Sequence, residues 1–240
     1  MGKLVVCGDS FMSPVIDETK GLHFTELLSK ELGWNLISLA RGGVSNNVIR
    51  LQIEEAIKMN PDCVLIGLTS PDRFEFPLAK GEHMFLPYAG LANINYQGYP
   101  DSSVNSNIFD IVRPSLHSTT LSNIFNNNNE DMFNVDEIDT LRKWFNIFYD
   151  FYYKVQQDAW VIYGGLRRLE DMDIPFYCIN HTLGVDDFHE FGENIIYAGD
   201  DLDPWEYQSN VGPHRFHTSL ESQYELYLKW YNRFIEDGLI

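Results

Sequence analysis

Basic residues are scarce in this chain, and the deficit limits what the protein can bind. The 240 residues include 17 Lys and Arg against 35 Asp and Glu, which gives a formal net charge of −18. A field of this sign repels the phosphates of nucleic acids and the anionic surface of a membrane. We therefore expect neither nucleic acid nor a membrane as a partner.

Cysteine is also rare, and long apolar runs are missing. Cys7, Cys63 and Cys178 all lie in apolar stretches, without the spacing of a disulfide framework. This usage predicts buried, reduced thiols and a cytosolic type of folding environment, and it disfavours a nucleophilic cysteine. Only four apolar residues separate Lys3 from Gly8, too few for a secretory signal or a membrane span. We expect a cytoplasmic or particle-associated protein that needs no cofactor.

Apolar runs alternate with helical patterns over the first 70 residues. Strands are predicted directly after Lys3, over 35–40 and over 63–68, with helices over 24–32 and about 48–59. This alternation predicts a doubly wound parallel sheet in a three-layer α/β/α sandwich of flavodoxin-like type. Right-handed crossovers bring the turns after the strands to one edge of the sheet, where such folds bind ligands.

We predict a single domain over residues 1–240 with two irregular segments. Residues 75–134 are rich in Gly, Pro, Asn, Tyr and Ser, including four consecutive asparagines from Asn126. Long irregular segments inside a domain are usually functional, so we interpret this one as an insertion or lid over the ligand-binding edge. Residues 181–213 form the second irregular segment.

Two helical patterns occupy the rest of the chain. Apolar residues at alternating spacings of three and four predict one long helix from about Asp136 to Met172. A strand is predicted over 174–180 and a last helix over about 220–237. Both helices carry more aromatic residues than a core face needs, which offers a contact surface for a second copy or an assembly partner.

Gly8-Asp9-Ser10 is the first candidate for chemistry. It follows the first strand, and Gly8 permits the sharp turn that would expose a serine at the ligand-binding edge. Amide groups of a nearby helix N-terminus could stabilise an oxyanion there. The alternative is that Asp9 and Ser10 only cap the next helix.

Four blocks of the sequence together resemble the SGNH, or GDSL-type, hydrolase family. Gly8-Asp9-Ser10 resembles the first block, which carries the nucleophile, and Gly43 resembles the glycine of the second. The third block normally has an Asn after the third strand, but here Gly67-Leu68-Thr69-Ser70 lacks it. His217, just before the last helix, resembles the catalytic base, although His214 stands where the family has its Asp.

The resemblance implies a role for each of these residues. Ser10 would be the nucleophile, His217 the base and Asp203 the acid that orients it, with Asp201 and Asp72 as alternative acids. The Ser10 and Gly43 amides would hold the oxyanion, and Thr69, Ser70 or Arg73 would replace the missing third donor. The predicted oxyanion and substrate-binding set is Ser10, Gly43, Asn46, Ser70, Arg73 and His214.

The resemblance implies an esterase or acylhydrolase acting on a small-molecule or saccharide ester, with carbohydrate deacetylation among the candidate activities. Two of the four blocks are incomplete, which leaves a second hypothesis open. In it the fold has lost catalysis and serves as an interaction or structural protein of a larger assembly. A third hypothesis makes His214 and His217 metal ligands together with Asp201, Asp203 or His189, although their spacing gives no closed ligand set.

Overall fold

Five short strands form one parallel sheet at the centre of the structure. The computed structural model describes residues 2–14, 21–41, 44–71, 73, 135–181, 183, 186–207 and 218–240. The strands are β1 (Lys3–Cys7), β2 (Asn35–Ser38), β3 (Cys63–Gly67), β4 (Phe176–Asn180) and β5 (Ile195–Tyr197). Their order in the sheet is β2-β1-β3-β4-β5, and every neighbouring pair is parallel.

Helices cover both faces of this sheet. They are α1 (Phe24–Leu32), α2 (Asn46–Lys58), α3 (Val135–Phe148), α4 (Phe151–Asp171) and α5 (Leu220–Glu236). Two 3₁₀ segments, Asp186–Asn194 and Pro204–Tyr207, flank β5 along the chain. The predicted three-layer α/β/α sandwich with a parallel sheet is therefore confirmed.

Each face of the sheet has its own apolar core. Leu4 and Val6 of β1 pack with α1 and α5, whereas Val5 and Cys7 pack with α2 and α4. This alternation is the period of two that a strand imposes on its side chains. Because both faces are covered, the strands are continuous apolar runs and show no alternation of polarity.

The long helix predicted over 136–172 is two helices. α3 ends at Phe148 and α4 begins at Phe151, with the Asp150 carboxylate accepting a hydrogen bond of 2.8 Å from the amide of Tyr153. An Asp at this position caps a new helix, so it interrupts the apolar seam without changing its spacing. The two glycines at 164 and 165 do not interrupt α4.

Three other predictions have different outcomes. α1 begins and ends as predicted, and Gly33 ends it in the left-handed conformation with a φ of 62°. The segment 181–213 is less irregular than predicted, because it contains β5 and both 3₁₀ segments. The insertion over 75–134 lies outside the described residues, so the predicted single domain with an insertion stays a prediction.

The three cysteines are confirmed as free and buried. Burial in apolar surroundings raises the pKa of each thiol, which keeps the thiols protonated and unreactive. None of the helices that the structure describes is long and apolar enough to cross a membrane.

Gly8 provides a test of the turn that follows β1. Its φ of 145° is strained for any other residue, and an added Cβ would lie 2.5 Å from Met12 Cγ and 2.9 Å from the Gly67 carbonyl oxygen. We expect Gly8→Ala to lower the free energy of unfolding by about 2 kcal/mol or more in urea denaturation. The matched control is Gly164→Ala within α4, where an added Cβ meets nothing within 4 Å. That variant should gain about 0.5–1 kcal/mol, and equal effects of the two substitutions would contradict the interpretation.

Candidate active site

Three polar residues follow the carboxyl ends of three neighbouring strands of the sheet. Ile66 of β3 is paired with Cys7 of β1 on one side and with Cys178 of β4 on the other. Three residues after each of these positions stand Thr69, Ser10 and His181, respectively. Since β1 and β4 both border β3, Ser10 and His181 follow strands whose axes lie about 10 Å apart.

The turn that carries Ser10 is held in place on both sides of the residue. The Gln52 carboxamide of α2 accepts a hydrogen bond of 2.6 Å from the Gly8 amide and donates one of 3.3 Å to the Gly8 carbonyl oxygen. The Asp9 carboxylate accepts a hydrogen bond of 2.9 Å from the amide of Phe11. Ser10 itself is half-buried, and no hydrogen bond of its hydroxyl to another described residue is found. The serine is thus fixed in position with its hydroxyl unengaged within this part of the chain.

Asp9 is buried, with only 1% of its surface exposed, and it ties the first turn to the end of β3. Its Oδ2 accepts a hydrogen bond of 2.8 Å from the Thr69 hydroxyl and lies 3.0 Å from a guanidinium nitrogen of Arg73. Arg73 also donates to the carbonyl oxygen of Val44, at 3.3 Å. Because the burial of an unpaired carboxylate is costly, these contacts are what allow Asp9 to occupy the interior.

Asn46, the first residue of α2, holds the end of β3 from the other side. Its carboxamide accepts from the Thr69 amide at 3.0 Å and donates to the Thr69 carbonyl oxygen at 2.8 Å. Its second amide hydrogen goes to Asp158 at 3.0 Å, and Asp158 pairs with Lys154 at 2.5 Å. Burial raises the pKa of Asp158, while its bonds to Lys154 and Asn46 act against this shift. Asn46 is fully buried with both amide hydrogens donated, so binding a substrate would require one of these bonds to break.

A histidine and a buried carboxylate meet beyond β4. Nδ1 of His181 lies 2.6 Å from Oδ2 of Asp203, which has no exposed surface. The other Asp203 oxygen accepts a hydrogen bond of 2.9 Å from the amide of Trp205. Burial raises the pKa of Asp203, and the hydrogen bonds from Trp205 and His181 act against this shift. The Trp205 ring stacks between those of His181 and Phe11, with centroid distances of 4.7 and 4.2 Å.

Comparison with solved structures identifies this arrangement of strands and helices. The chain is similar over 98% of its length, and 98% of the other chain, to the psychrotrophic esterase EstA from a Pseudoalteromonas species, with a TM-score of 0.52 and 9% identity. The chain has the SGNH hydrolase fold. An acetyl xylan esterase matches with a TM-score of 0.48 and 10% identity, over 96% of this chain and 98% of the other. A protein described as a putative lipolytic protein of the G-D-S-L family, from Desulfitobacterium hafniense, matches with a TM-score of 0.45 and 11% identity. The match covers 97% of this chain and 99% of the other. No protein-family model and no curated protein matches the sequence.

The predicted oxyanion and substrate-binding residues of the SGNH fold lie partly within the described chain. Gly43 and His214 lie outside it. Ser70 directly follows the Thr69 position and is half-buried, whereas the guanidinium group of Arg73 is already engaged by Asp9. The Thr69 hydroxyl donates to the same carboxylate, so it serves the interior of the fold.

The predicted base, His217, also lies outside the described residues, as does the alternative acid Asp72. Asp201, another alternative acid, is exposed, and its carboxylate lies 3.6 Å from Nζ of Lys229. Asp203 is the predicted acid that is buried at the candidate site, and the histidine it contacts is His181.

One group of three possible metal ligands occurs among the described residues. Single ligand atoms of His181, Asp203 and Glu206 lie within 4.8 Å of one another. Glu206 is exposed and accepts a hydrogen bond from the amide of Gly199. Of the predicted metal set, Asp203 belongs to this group, whereas the other described members, His189 and Asp201, do not.

The sequence patterns do not single out His181, because no family block includes it. A signal was nonetheless present, since it is the first residue after a predicted buried strand, the same kind of position that singled out Ser10. Open parallel sheets collect functional residues at such positions.

The hydrogen bonds of Asn46 provide a test of how the site is supported. Asn46→Ala leaves the Thr69 amide, the Thr69 carbonyl and the Asp158 carboxylate each short of a buried partner. We expect a loss of about 2 kcal/mol or more in the free energy of unfolding, measured in urea. Asn47→Ala, on the exposed side of the same helix turn, should change it by no more than about 0.5 kcal/mol. A loss of that small size in both variants would mean that the Asn46 contacts contribute little.

Proposed function

We propose that this protein is a serine esterase in which Ser10 attacks the carbonyl carbon of an acyl ester. The observation that carries the proposal is the position of Ser10 in a turn fixed by Gln52 and Asp9, at the same sheet edge as a histidine–carboxylate pair. The fold shared with the esterase EstA supports it, although an identity of 9% speaks for the fold alone.

The reaction would proceed through an acyl-enzyme. The Ser10 oxygen bonds to the carbonyl carbon while a histidine takes the serine proton, and the carbonyl electron pair moves onto its oxygen. The amides of Ser10 and, from the family resemblance, Gly43 would hold that oxyanion. The ester bond then breaks, the histidine returns the proton to the leaving alcohol, and water repeats the sequence to release the acid.

The family resemblance implies His217 for the proton transfer, with Asp203 to orient it, and Ser70 among the residues that contact substrate. For the substrate class we propose a small acyl group on an alcohol or saccharide, such as an acetyl ester. The net charge of −18 disfavours strongly anionic substrates, because the field of the protein would repel them.

An interaction protein on the same fold is the second candidate, and a specific observation favours it. The exposed side chains of α3 and α4 are unusually aromatic: Trp144, Phe148, Tyr152, Tyr153 and Trp160 each expose between 48% and 83% of their surface. Exposed apolar side chains that form a contiguous patch are typical of surfaces that bind another protein. This surface and the missing Asn of the third block are what an assembly component without catalysis would have.

A serine-directed phosphonate separates the two candidates. We expect an alkyl phosphonate fluoride to modify the wild type once, at Ser10, as located by mass spectrometry of the digested protein. Ser10→Ala should lose the modification, and its hydrolysis of p-nitrophenyl acetate should fall by at least about a thousandfold. Its melting temperature should stay within about 2 °C, because a half-buried hydroxyl without a described partner contributes little to stability.

The control is Ser13→Ala, three residues further along the same segment, where the serine is buried. That variant should still be modified at Ser10. Modification at a different residue, or undiminished turnover by Ser10→Ala, would refute the nucleophile. A folded wild type that neither reacts with the phosphonate nor hydrolyses the ester would favour the interaction protein.

A further inference from the structure

Asp203 is already committed to a histidine within the described chain. Its carboxylate has no exposed surface, and its two oxygens accept hydrogen bonds from the Trp205 amide and from Nδ1 of His181. A buried carboxylate of this kind is stable only while its partners stay in place. If Asp203 is the orienting acid of the proposed esterase, the histidine it orients in the described chain is His181.

This contact fixes the protonation pattern of the imidazole. A bond of 2.6 Å to a carboxylate requires Nδ1 to carry its hydrogen, so the neutral ring presents a lone pair at Nε2. The ring cannot turn freely, because it stacks on Trp205 with an interplanar angle of 14°. A quarter of the side chain remains exposed, which leaves the ring accessible from the sheet edge.

The same ring system connects His181 to the nucleophile turn. Trp205 also stacks on Phe11, the residue after Ser10, at 4.2 Å and 18°. Ser10 stands in the turn three residues after the end of β1, and His181 directly follows the end of β4, at the same edge of the sheet. The Trp205 stack is therefore what joins the histidine–carboxylate pair to the turn that carries Ser10.

We infer that His181, held by Asp203 and Trp205, is the general base of the reaction in place of His217. The inference rests on the proposed esterase function and names the residue that moves its proton. The Ser10 proton passes to Nε2 of His181 as the bond from Oγ to the carbonyl carbon forms. The same proton passes from Nε2 to the leaving oxygen as the ester bond breaks, and the positive ring between these steps is stabilised by Asp203. Glu206, with an oxygen 3.9 Å from Nδ1, adds a second negative charge.

The test compares His181→Ala, His217→Ala and Asp203→Asn in the full chain. The first readout is the rate at which the phosphonate modifies Ser10, and the second is the hydrolysis of p-nitrophenyl acetate. We expect His181→Ala to lower both by at least about a thousandfold, and Asp203→Asn by at least about a hundredfold. The matched control is His189→Ala, an exposed histidine outside the cluster, which should keep wild-type rates.

Imidazole distinguishes a lost base from a disturbed fold. Added imidazole should restore part of the activity of His181→Ala, because the deleted ring leaves a space beside Trp205, and it should not restore that of His217→Ala. Melting temperatures identify any variant that is unfolded, and for such a variant His181→Asn replaces His181→Ala.

Several results would overturn the inference while leaving the proposed function intact. One is a loss below about tenfold in His181→Ala together with a large loss in His217→Ala. Another is imidazole rescue confined to His217→Ala. Loss of wild-type activity on chelation with recovery on adding Zn²⁺ would overturn both the inference and the proposed serine mechanism, because His181, Asp203 and Glu206 would then be metal ligands. A wild type without modification or hydrolysis instead overturns the proposed function, and the inference with it.

Discussion

Three carboxylates buried at one edge of the sheet are the constraint on which the candidate site depends. Asp9, Asp158 and Asp203 each expose 1% of their surface or less, and each has a different partner: Arg73, Lys154 and His181. An unpaired carboxylate in such a position would cost several kcal/mol. The partners, and the elements that carry them, must therefore stay where they are for the protein to remain folded.

The first two pairs fix backbone rather than perform chemistry. Asp9 binds the Thr69 hydroxyl, and Asp158 binds the Asn46 carboxamide that in turn holds the Thr69 amide and carbonyl groups. Gln52 holds Gly8 in the same way. Two side chains of α2 thus hold the backbone just beyond the ends of β1 and β3, where the hydrogen bonds of the sheet end. The Thr69 hydroxyl belongs to the same network of hydrogen bonds, through its bond to Asp9.

Local patterns predicted the fold well, and its interruptions poorly. The strands β1 and β3 and the helix α1 follow from apolar runs, helical spacing and a terminal glycine. The break between α3 and α4 could not be read in this way, because the apolar seam continues through it and a single cap at Asp150 causes it. β5 has only three residues between polar segments, too few for a periodicity. For the site, the sequence patterns indicated Ser10 and Asp203 but not His181, since a contact between residues 22 positions apart does not show in a local pattern.

The three buried pairs differ in what they can do with a proton. Arginine and lysine side chains keep their protons at neutral pH, so the pairs of Asp9 and Asp158 have fixed charge. Imidazole is the side chain that exchanges a proton in this range, and it belongs to the pair of Asp203. Burial raises the pKa of Asp203, and the hydrogen bonds from Trp205 and His181 act against this shift by stabilising the carboxylate. Of these three pairs, the one that stacks nearest the Ser10 turn is therefore the pair that can accept a proton and return it, which is why the proposed reaction uses it.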